Sequence, residues 1–439
     1  LRGGWTGRPE LPGYQAHGAR SVEYLLDGIP YEPVGQDSLA VDPSMLPLSF
    51  IDRIEIERLP GLLRVFLFTR HHDRSVPYTR IGIASGDLQF ARYQAVLEKR
   101  NAKGLGFGAA FDHLSVPAQP STPGDYSNTQ GWLRLDYIPR AGRGVEVQLF
   151  TSAPDRQVVL SEGTTGDTIS NPRHGSRRDL TARVFLARRP DGLGPRFDLF
   201  LSHTGYTDRI EKDTVLTLSP PDTVISGDGK DTTITVDTTR DLRDHQRSFT
   251  QAGAAFAWRR PDASLEANLF WRSTWTPLDV RVRAGVAPGR FLSASLEGAY
   301  LSHDGSRTSS WLTARAGARL PLGIMATGIW RRGSAVTAPA ILADSAERVD
   351  DRSLGLAWRG GFAQAEVTYS WNAAFAPLAW GQYPGIRSIA PSHRTEWLSV
   401  NARIAPRQWM MLDGWYSTPQ GARPEGQPPT HSIINGTIQ

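Results

Sequence analysis

Four stretches hold residues whose types could do chemistry. His71-His72-Asp73 offers two imidazoles and a carboxylate, the ligands of a zinc-type site. Adjacent histidines on an extended chain point to opposite sides, so they do not converge on one ion, and a solvated linker is the better reading. The segment from Asp222 to Asp244 gathers Asp222, Asp228, Asp231, Asp237, Asp241 and Asp244. Clustered carboxylates hold calcium, but this spacing is not that of an EF-hand, and Lys230 and Arg240 offset the charge. Asp222, Asp228 and Asp231 are therefore calcium candidates only, in a loop read as solvated, with no metal site assigned. Trp380, Tyr383, Arg387, His393 and Arg394 bring aromatic faces and guanidinium forks together, a set able to grip a sugar, a chelate or another anion. Gly104-Leu105-Gly106-Phe107-Gly108 resembles a phosphate-binding loop, yet it lies inside a strand-like stretch rather than between a strand and a helix, so small-residue packing is expected there.

Most enzyme classes lack their parts. No GxSxG, HExxH or GxxxxGK motif occurs. With no cysteine among 439 residues there are no thiol nucleophiles, Fe–S clusters or zinc fingers. The 49 Lys+Arg and 44 Asp+Glu are scattered along the chain, leaving no basic stripe for nucleic acid.

The elements that must position these residues have one dominant period. From about Tyr78 onward, strands of 9–12 residues alternate apolar and polar side chains. Leu133, Leu135 and Tyr137 alternate with Arg134 and Asp136, and Val280, Val282 and Ala284 with Arg281 and Arg283. Leu312, Ala314 and Ala316 alternate with Thr313 and Arg315, and Leu398, Val400 and Ala402 with Ser399 and Asn401. Connections alternate too. Short ones such as 100–104, 139–144, 259–262, 321–323 and 360–361 carry turn residues, and long ones such as 115–128, 151–177, 206–247, 333–351 and 372–394 fall between them. A closed membrane barrel with tight turns at one end and loops at the other produces this rhythm, and a soluble sandwich has no reason to keep it. About 16 strands plus a partial one are expected. No apolar run is long enough for a membrane helix. Many of the 13 Trp fall near strand ends, as an interfacial belt would require: Trp132, Trp258, Trp271, Trp311, Trp330, Trp358, Trp371 and Trp397 among them.

Residues 1–75 follow another pattern. Arg2-Gly3 is followed by Val22 to Leu26, an apolar strand running into Asp27-Gly28-Ile29-Pro30. Then comes Ile51-Asp52-Arg53-Ile54-Glu55-Ile56-Glu57-Arg58, Pro60-Gly61, and a strand ending Thr69-Arg70. Asp27-Gly28 is a strong hairpin signal, and the isoleucines separated by Asp52, Arg53 and Glu55 suit a small mixed sheet with Arg53 and Glu55 on one open side.

These motifs, in this order and followed by a barrel, resemble the plug domain of TonB-dependent receptors. The resemblance implies an all-β fold: an antiparallel transmembrane β-barrel, with about 16–17 of the family's 22 strands present, carrying a partial N-terminal α/β plug. It divides the chain into a plug at 1–75 and a barrel at 76–439, and names Arg2, Gly3, Asp27, Gly28, Arg53 and Glu55 as plug-motif positions. In such a plug, charges face the barrel wall, so ion pairs are expected there. Both ends read as truncated, since the first plug half, the TonB box and the last strands are missing, and the stretch between Pro60 and Val65 is shorter than in the family.

The function implied is uptake across the bacterial outer membrane of a scarce nutrient: an iron chelate, a vitamin or an oligosaccharide. No cofactor is implied, and the chain is not expected to be an enzyme. The implied partners are outer-membrane lipid, TonB and a small ligand held by outer-loop residues Trp380, Tyr383, Arg387 and Arg394. A non-transporting barrel with an anchoring or assembly role is the alternative. An outer-membrane hydrolase or a soluble β-rich adhesin is a more distant one.

Overall fold

The structure, a computed structural model, describes residues 21–32, 45–86, 90–117, 125–161, 168–187, 192–215, 223–225, 232–234, 239–336, 339, 346–373, 378–380, 386–388, 394–407, 410–420 and 431–438. Arg2, Gly3, Asp222, Asp228, Asp231 and Tyr383 lie outside them.

From Tyr78–Ser85 to His431–Ile438 the chain forms one antiparallel sheet in which each strand pairs with the next along the chain. Two small hairpins, Thr223–Ile225 with Thr232–Ile234 and Leu378–Trp380 with Ile386–Ser388, stand outside this order. The strand order closes on itself as a barrel of eighteen strands, slightly more than the period alone suggested. Residue-by-residue ladders run unbroken from the first strand to the last. Among the described residues, only the seam where those two meet lacks such a ladder.

The period-2 pattern becomes a two-faced wall. In Tyr126–Arg140, Gln130, Trp132, Arg134 and Asp136 are buried inward while Leu133, Leu135 and Tyr137 stand exposed outward. The same parity puts Leu180, Val184, Leu199, Leu201, Leu312 and Leu354 on the outside. An apolar band of this extent would drive aggregation in water and is what a bilayer-facing wall requires. Not every tryptophan joins the outer belt. Trp271, Trp330 and Trp358 do, but Trp132, Trp311 and Trp397 are buried and inward, because each sits on the inward parity of its strand.

Two stretches expected as loops prove to be strand. Arg143–Ser161 and Thr168–Ala187 stay paired as far as Ser161↔Thr168, and Gly194–Val215 stays paired with Thr239–Arg259 as far as Val215↔Thr239. Their sequences lose hydrophobic alternation because a strand that has left the bilayer needs no apolar face, whereas its backbone pairing continues. These strands are about twice membrane length, so this side of the barrel rises roughly 30 Å above the rest.

Inside the barrel lies a four-stranded mixed sheet, in the spatial order β2-β1-β4-β3: β1 (Ser21–Leu26), β2 (Ile29–Pro30), β3 (Ile51–Leu59) and β4 (Leu62–Thr69). Strands β1 and β4 run parallel, and the other neighbours are antiparallel. One 3-10 turn, Leu48–Phe50, precedes β3. The helical part of an α/β plug does not fall among the described residues. The small core of this sheet is Tyr24, Tyr31, Leu46, Val65 and Leu67.

Candidate functional site: the plug–wall interface

Two turns shape the plug. Asp27 and Gly28 both take positive φ, 50° and 85°, the pair a two-residue type I′ hairpin needs to join β1 to β2. Asp27 then does more than turn the chain. Its carboxylate accepts from the Thr69 amide (2.9 Å) and Thr69 Oγ1 (2.7 Å), tying the hairpin to the end of β4, and from Gln148 Nε2 of the wall (3.2 Å). The Asp-Gly and Thr-Arg motifs are thus two halves of one hydrogen-bonded unit. Pro60-Gly61, with Gly61 at φ 69°, closes the β3–β4 hairpin in two residues.

The register of the sheet aligns a row of charge. Glu23 of β1 lies beside Arg64 of β4, and Arg64 lies beside Glu57 of β3. Arg64 is buried. It donates through Nε to Glu23 (3.0 Å), through Nη1 to Glu57 (2.9 Å), and through Nη2 to the wall residue Glu297 (3.0 Å). A second contact, Nη1 to Glu297 Oε2 at 3.3 Å, makes the last pairing bidentate.

The wall answers with arginines from the inward parity of two strands, Leu278–Val286 and Arg307–Arg319, which flank the strand that carries Glu297. Arg281 reaches Glu23 (2.8 Å), Arg283 reaches Glu57 (3.2 Å), and Arg315 donates to Glu57 and lies 3.6 Å from Glu297. Asp279 holds Arg281 from the other side at 2.8 Å. Glu23, Glu57, Glu297 and Asp279 are balanced by Arg64, Arg281, Arg283 and Arg315, so the cluster is neutral as a unit. Burial pushes the Glu23 carboxyl up, but Arg281 and Arg64 overcome this and hold it well below the usual carboxylate range. Glu57 shows the same opposition, burial against the Arg315 hydrogen bond and the Arg64 charge, and is also lowered.

Contacts around the rest of the lumen are mixed: Ile29 packs on Phe200 and Phe270, Met45 on Tyr206 and Phe249, and Phe50 on Trp132 and Phe150, in three small apolar clusters, while the others are polar. Arg177 donates to the Glu32 carbonyl (2.9 Å) and lies over the Tyr31 ring at 3.6 Å. Gln251 donates to the Pro30 carbonyl and Gln130 to the Leu46 carbonyl, each at 3.1 Å. Ser49 hydrogen-bonds Asp112, and Arg134 donates to the Arg70 carbonyl. At the plug-to-barrel linker His71 Nε2 meets Glu146 at 2.8 Å. Burial lowers the His71 pKa, but its hydrogen bond and the Glu146 charge more than offset this and raise it. His72 turns the other way, to the Val76 carbonyl at 2.6 Å, so the histidine pair diverges as its extended backbone dictates. Among the described residues no group of His, Asp or Glu converges as a metal site.

Arg53 and Glu55 do not make the expected wall contacts. They pair with one another at 3.1 Å, both more than half exposed, and Arg53 caps the Phe68 ring. The reason is position along the strand. Arg53, Glu55 and Glu57 share one face of β3, but the wall contacts on that face fall at the Glu57 end, where Arg64, Arg283 and Arg315 gather. A cavity of about 570 Å³ beside Arg53, bounded by Asp27, His71, Glu146, Arg183 and Asp198, separates this part of the plug from the wall. Arg281, Arg283 and Arg315 are visible in the sequence as polar members of the alternation, but nothing local tells which plug residue each would meet.

The glycine-rich stretch 104–108 is a wall element. A Cβ at Gly106 would lie 2.4 Å from Asp136 Oδ1, and one at Gly108 2.9 Å from the Trp132 ring. These glycines leave room for a buried ion cluster in which Arg134 meets Glu98 (3.3 Å) and Asp136 (3.2 Å), and Arg100 meets Asp136 (2.7 Å).

Of the outer-loop candidates, Trp380 and Arg387 belong to the Leu378–Trp380/Ile386–Ser388 hairpin, with Trp380 paired to Ile386 and Arg387 to Ala379. Arg394 is exposed and borders a groove with Trp330, Arg352 and Trp371 on the outward face, apart from the lumen.

The sequence matches no protein-family model, and comparison with curated proteins found no match. Solved structures do match. The siderophore receptor PirA from Acinetobacter baumannii is 9% identical, with a TM-score of 0.64 over 95% of this chain and 76% of that one. A mutant of the ferric enterobactin receptor PfeA from Pseudomonas aeruginosa is 10% identical, with a TM-score of 0.68 over 93% and 73%. The FrpB iron transporter from Neisseria meningitidis is 10% identical, with a TM-score of 0.61 over 91% and 72%. At such identities the likeness is one of fold: the chain has a TonB-dependent-receptor-like fold, a barrel with a plug sheet inside it. The structures it resembles are transport receptors rather than enzymes.

Proposed function

We propose that this chain is an outer-membrane TonB-dependent-receptor-like transporter that takes up a scarce nutrient, with residues 1–75 acting as plug and 76–439 as barrel. The observation that carries the reading is the character of the plug–wall interface. The plug sheet lies in the lumen, and its contacts with the wall are ion pairs and hydrogen bonds interspersed with three small, separate apolar clusters rather than one continuous apolar core. Polar contacts exchange for water at little net cost, whereas separating two apolar surfaces costs free energy in proportion to their area. A plug so held seals the barrel at rest and can be displaced by a pull from the periplasm, which is the part TonB would play.

Ligand would enter from the loop end, which the tall strands 143–259 wall on one side; the aromatic and cationic residue types in the 372–394 connection, Trp380, Tyr383 and Arg387, are the proposed contacts. An anionic chelate or an oligosaccharide suits such a set. The similar structures named above are a siderophore receptor, a ferric enterobactin receptor and an iron transporter, which favours an iron chelate. Uptake of ⁵⁵Fe-enterobactin, ⁵⁵Fe-ferrichrome, cyanocobalamin and a labelled maltooligosaccharide, in cells with and without TonB, tests the reading. TonB-dependent accumulation of one of them is expected. Accumulation that is equal without TonB would overturn it in favour of a passive or anchoring barrel.

A further inference from the structure

The outward face of the wall is not uniform. Between strands Arg307–Arg319 and Glu347–Arg359 there is a groove of about 560 Å³. Its floor is Ala314, Ala316 and Gly328, which lie side by side in the register as Ala316↔Gly328 and Ala314↔Trp330. Its walls are Trp330, Leu354 and Trp371. Missing side chains make the depression: a floor of larger residues would continue the apolar band. A second outward groove of about 490 Å³ follows next door, over Gly298 and Val282, bordered by Tyr300, Leu312 and Arg332. A Cβ added at Gly298 would meet nothing within 4 Å, so the space above it is open.

Both grooves end in positive charge at the loop end of the barrel. Arg352 and Arg394 border the first and Arg332 the second, with Arg348 nearby. Two acids share the patch. Asp350 accepts from Trp330 Nε1 at 3.3 Å and lies 3.4 Å from Arg352 and 3.7 Å from Arg348, while Glu396 is held by the Tyr369 hydroxyl. Four arginines against two acids leave a net positive rim, and the Arg348 and Arg352 side chains stay more than half exposed despite their pairing. Arg352 shares the parity of Leu354, Leu356 and Trp358, so this charge faces the same side as the apolar band.

An apolar trough below a ring of tryptophan and arginine has the shape and charge of one kind of occupant. Hydrocarbon fills the trough, tryptophan sits at the headgroup level, and arginine forks match phosphate bidentately. We propose that this face binds an acylated lipid with a phosphate-bearing headgroup, one chain over Ala314, Ala316 and Gly328 and the phosphate on Arg352 and Arg394. The inference rests on the outer-membrane barrel reading, which puts this rim in the outer leaflet.

The test is native mass spectrometry of the full chain in detergent, titrated with diphosphoryl lipid A, dephosphorylated lipid A and inorganic phosphate. Heat-modifiable migration on gels is followed in parallel. Retention of diphosphoryl lipid A, but of neither other probe, is expected. Arg352→Gln with Arg394→Gln should weaken it about thirtyfold, the factor two lipid-facing arginines are worth. Ala316→Leu, which fills the floor and keeps the face apolar, should weaken it with the rim intact. Arg178→Gln, an outward arginine on a distant strand, should leave it unchanged. A heat-modifiable barrel that holds both lipids equally, or that loses lipid to Arg178→Gln as readily as to the rim variant, would overturn the lipid site alone. A chain that is not heat-modifiable would overturn the barrel reading and the site with it.

Discussion

Arg64 is where the plug and the wall are coupled most closely, and Arg64→Met asks how strongly. The substitution keeps an unbranched stem and removes the guanidinium. Glu23, Glu57 and Glu297 then lose their shared partner at 3.0, 2.9 and 3.0 Å. Removing one member of a buried ion pair costs about 3–5 kcal/mol, because the charge left behind stays buried. Arg281, Arg283 and Arg315 remain to hold Glu23 and Glu57, so the lower end, about 3 kcal/mol, is expected. At 1.36 kcal/mol per decade that is roughly a hundredfold rise in plug opening. Hydrogen exchange at β1 and β4 amides of the purified protein reads this opening directly, with heat-modifiable migration reporting that the barrel is intact. The same assay isolates the wall contact through a double-mutant cycle of Arg64→Met and Glu297→Gln. A bidentate, charge-assisted pairing should give a coupling of about 2 kcal/mol. Effects that add to within about 0.5 kcal/mol would refute the claim that this pairing locks the plug.

Other predictions use the same readouts. The depressed pKa values of Glu23 and Glu57 contribute stability that is complete above the ordinary carboxylate range and is lost only as pH falls through their folded values. Plug protection, measured relative to intrinsic exchange, should therefore hold down through pH 4–5 and fall only below it, and a loss of protection already at pH 5 would contradict the pairing. His71 has the opposite sign. Its raised pKa contributes stability below the ordinary histidine value, lost as pH climbs through the folded one, so amides near Thr69 should be less protected, relative to their intrinsic exchange rates, at pH 8 than at pH 6, and His71→Gln should abolish the difference in protection. Asp27→Ala places alanine at φ 50° and deletes the contacts to Thr69 and Gln148, which should cost the plug about 2–4 kcal/mol, with Asp27→Asn recovering part of it. Gly106→Val drives side-chain carbon into the Asp136 carboxylate and should sharply lower the heat-modifiable fraction, while Gly205→Ala, where a Cβ meets nothing within 4 Å, should not.

The barrel was legible because its signal is repeated. Leu133 and Arg134, Val282 and Arg283, or Leu312 and Thr313 each state the same inside-outside rule, and tight turns mark each reversal. The tall strands were not legible because outside the bilayer the rule no longer applies: the sequence of Thr239–Arg247 carries charged residues at odd and even positions alike, yet its backbone remains paired with Tyr206–Val215. The lock escaped for a different reason. Glu23, Arg64 and Glu57 come from three strands, and their alignment depends on the parallel register of β1 with β4, which no local pattern encodes. Motif reading selected Arg53 and Glu55, which share a face of β3 with Glu57 but lie nearer its start, where a cavity rather than the wall arginines borders Arg53. Asp27 and Gly28 were legible because their turn imposes a positive φ that few residues accept.

The central claim is that the plug must move for cargo to pass, and a removable tether tests it most directly. The chain has no cysteine, so Ser49→Cys with Asp112→Cys, at a position where two short side chains already touch across the plug–wall boundary, introduces the only possible disulfide. Accumulation of the four labelled probes is measured in TonB-positive cells before and after reduction. Uptake of one probe that is blocked when the tether is oxidised and restored by reductant is the predicted result. Uptake that continues unchanged with the plug covalently fixed to Asp112's strand would contradict the account.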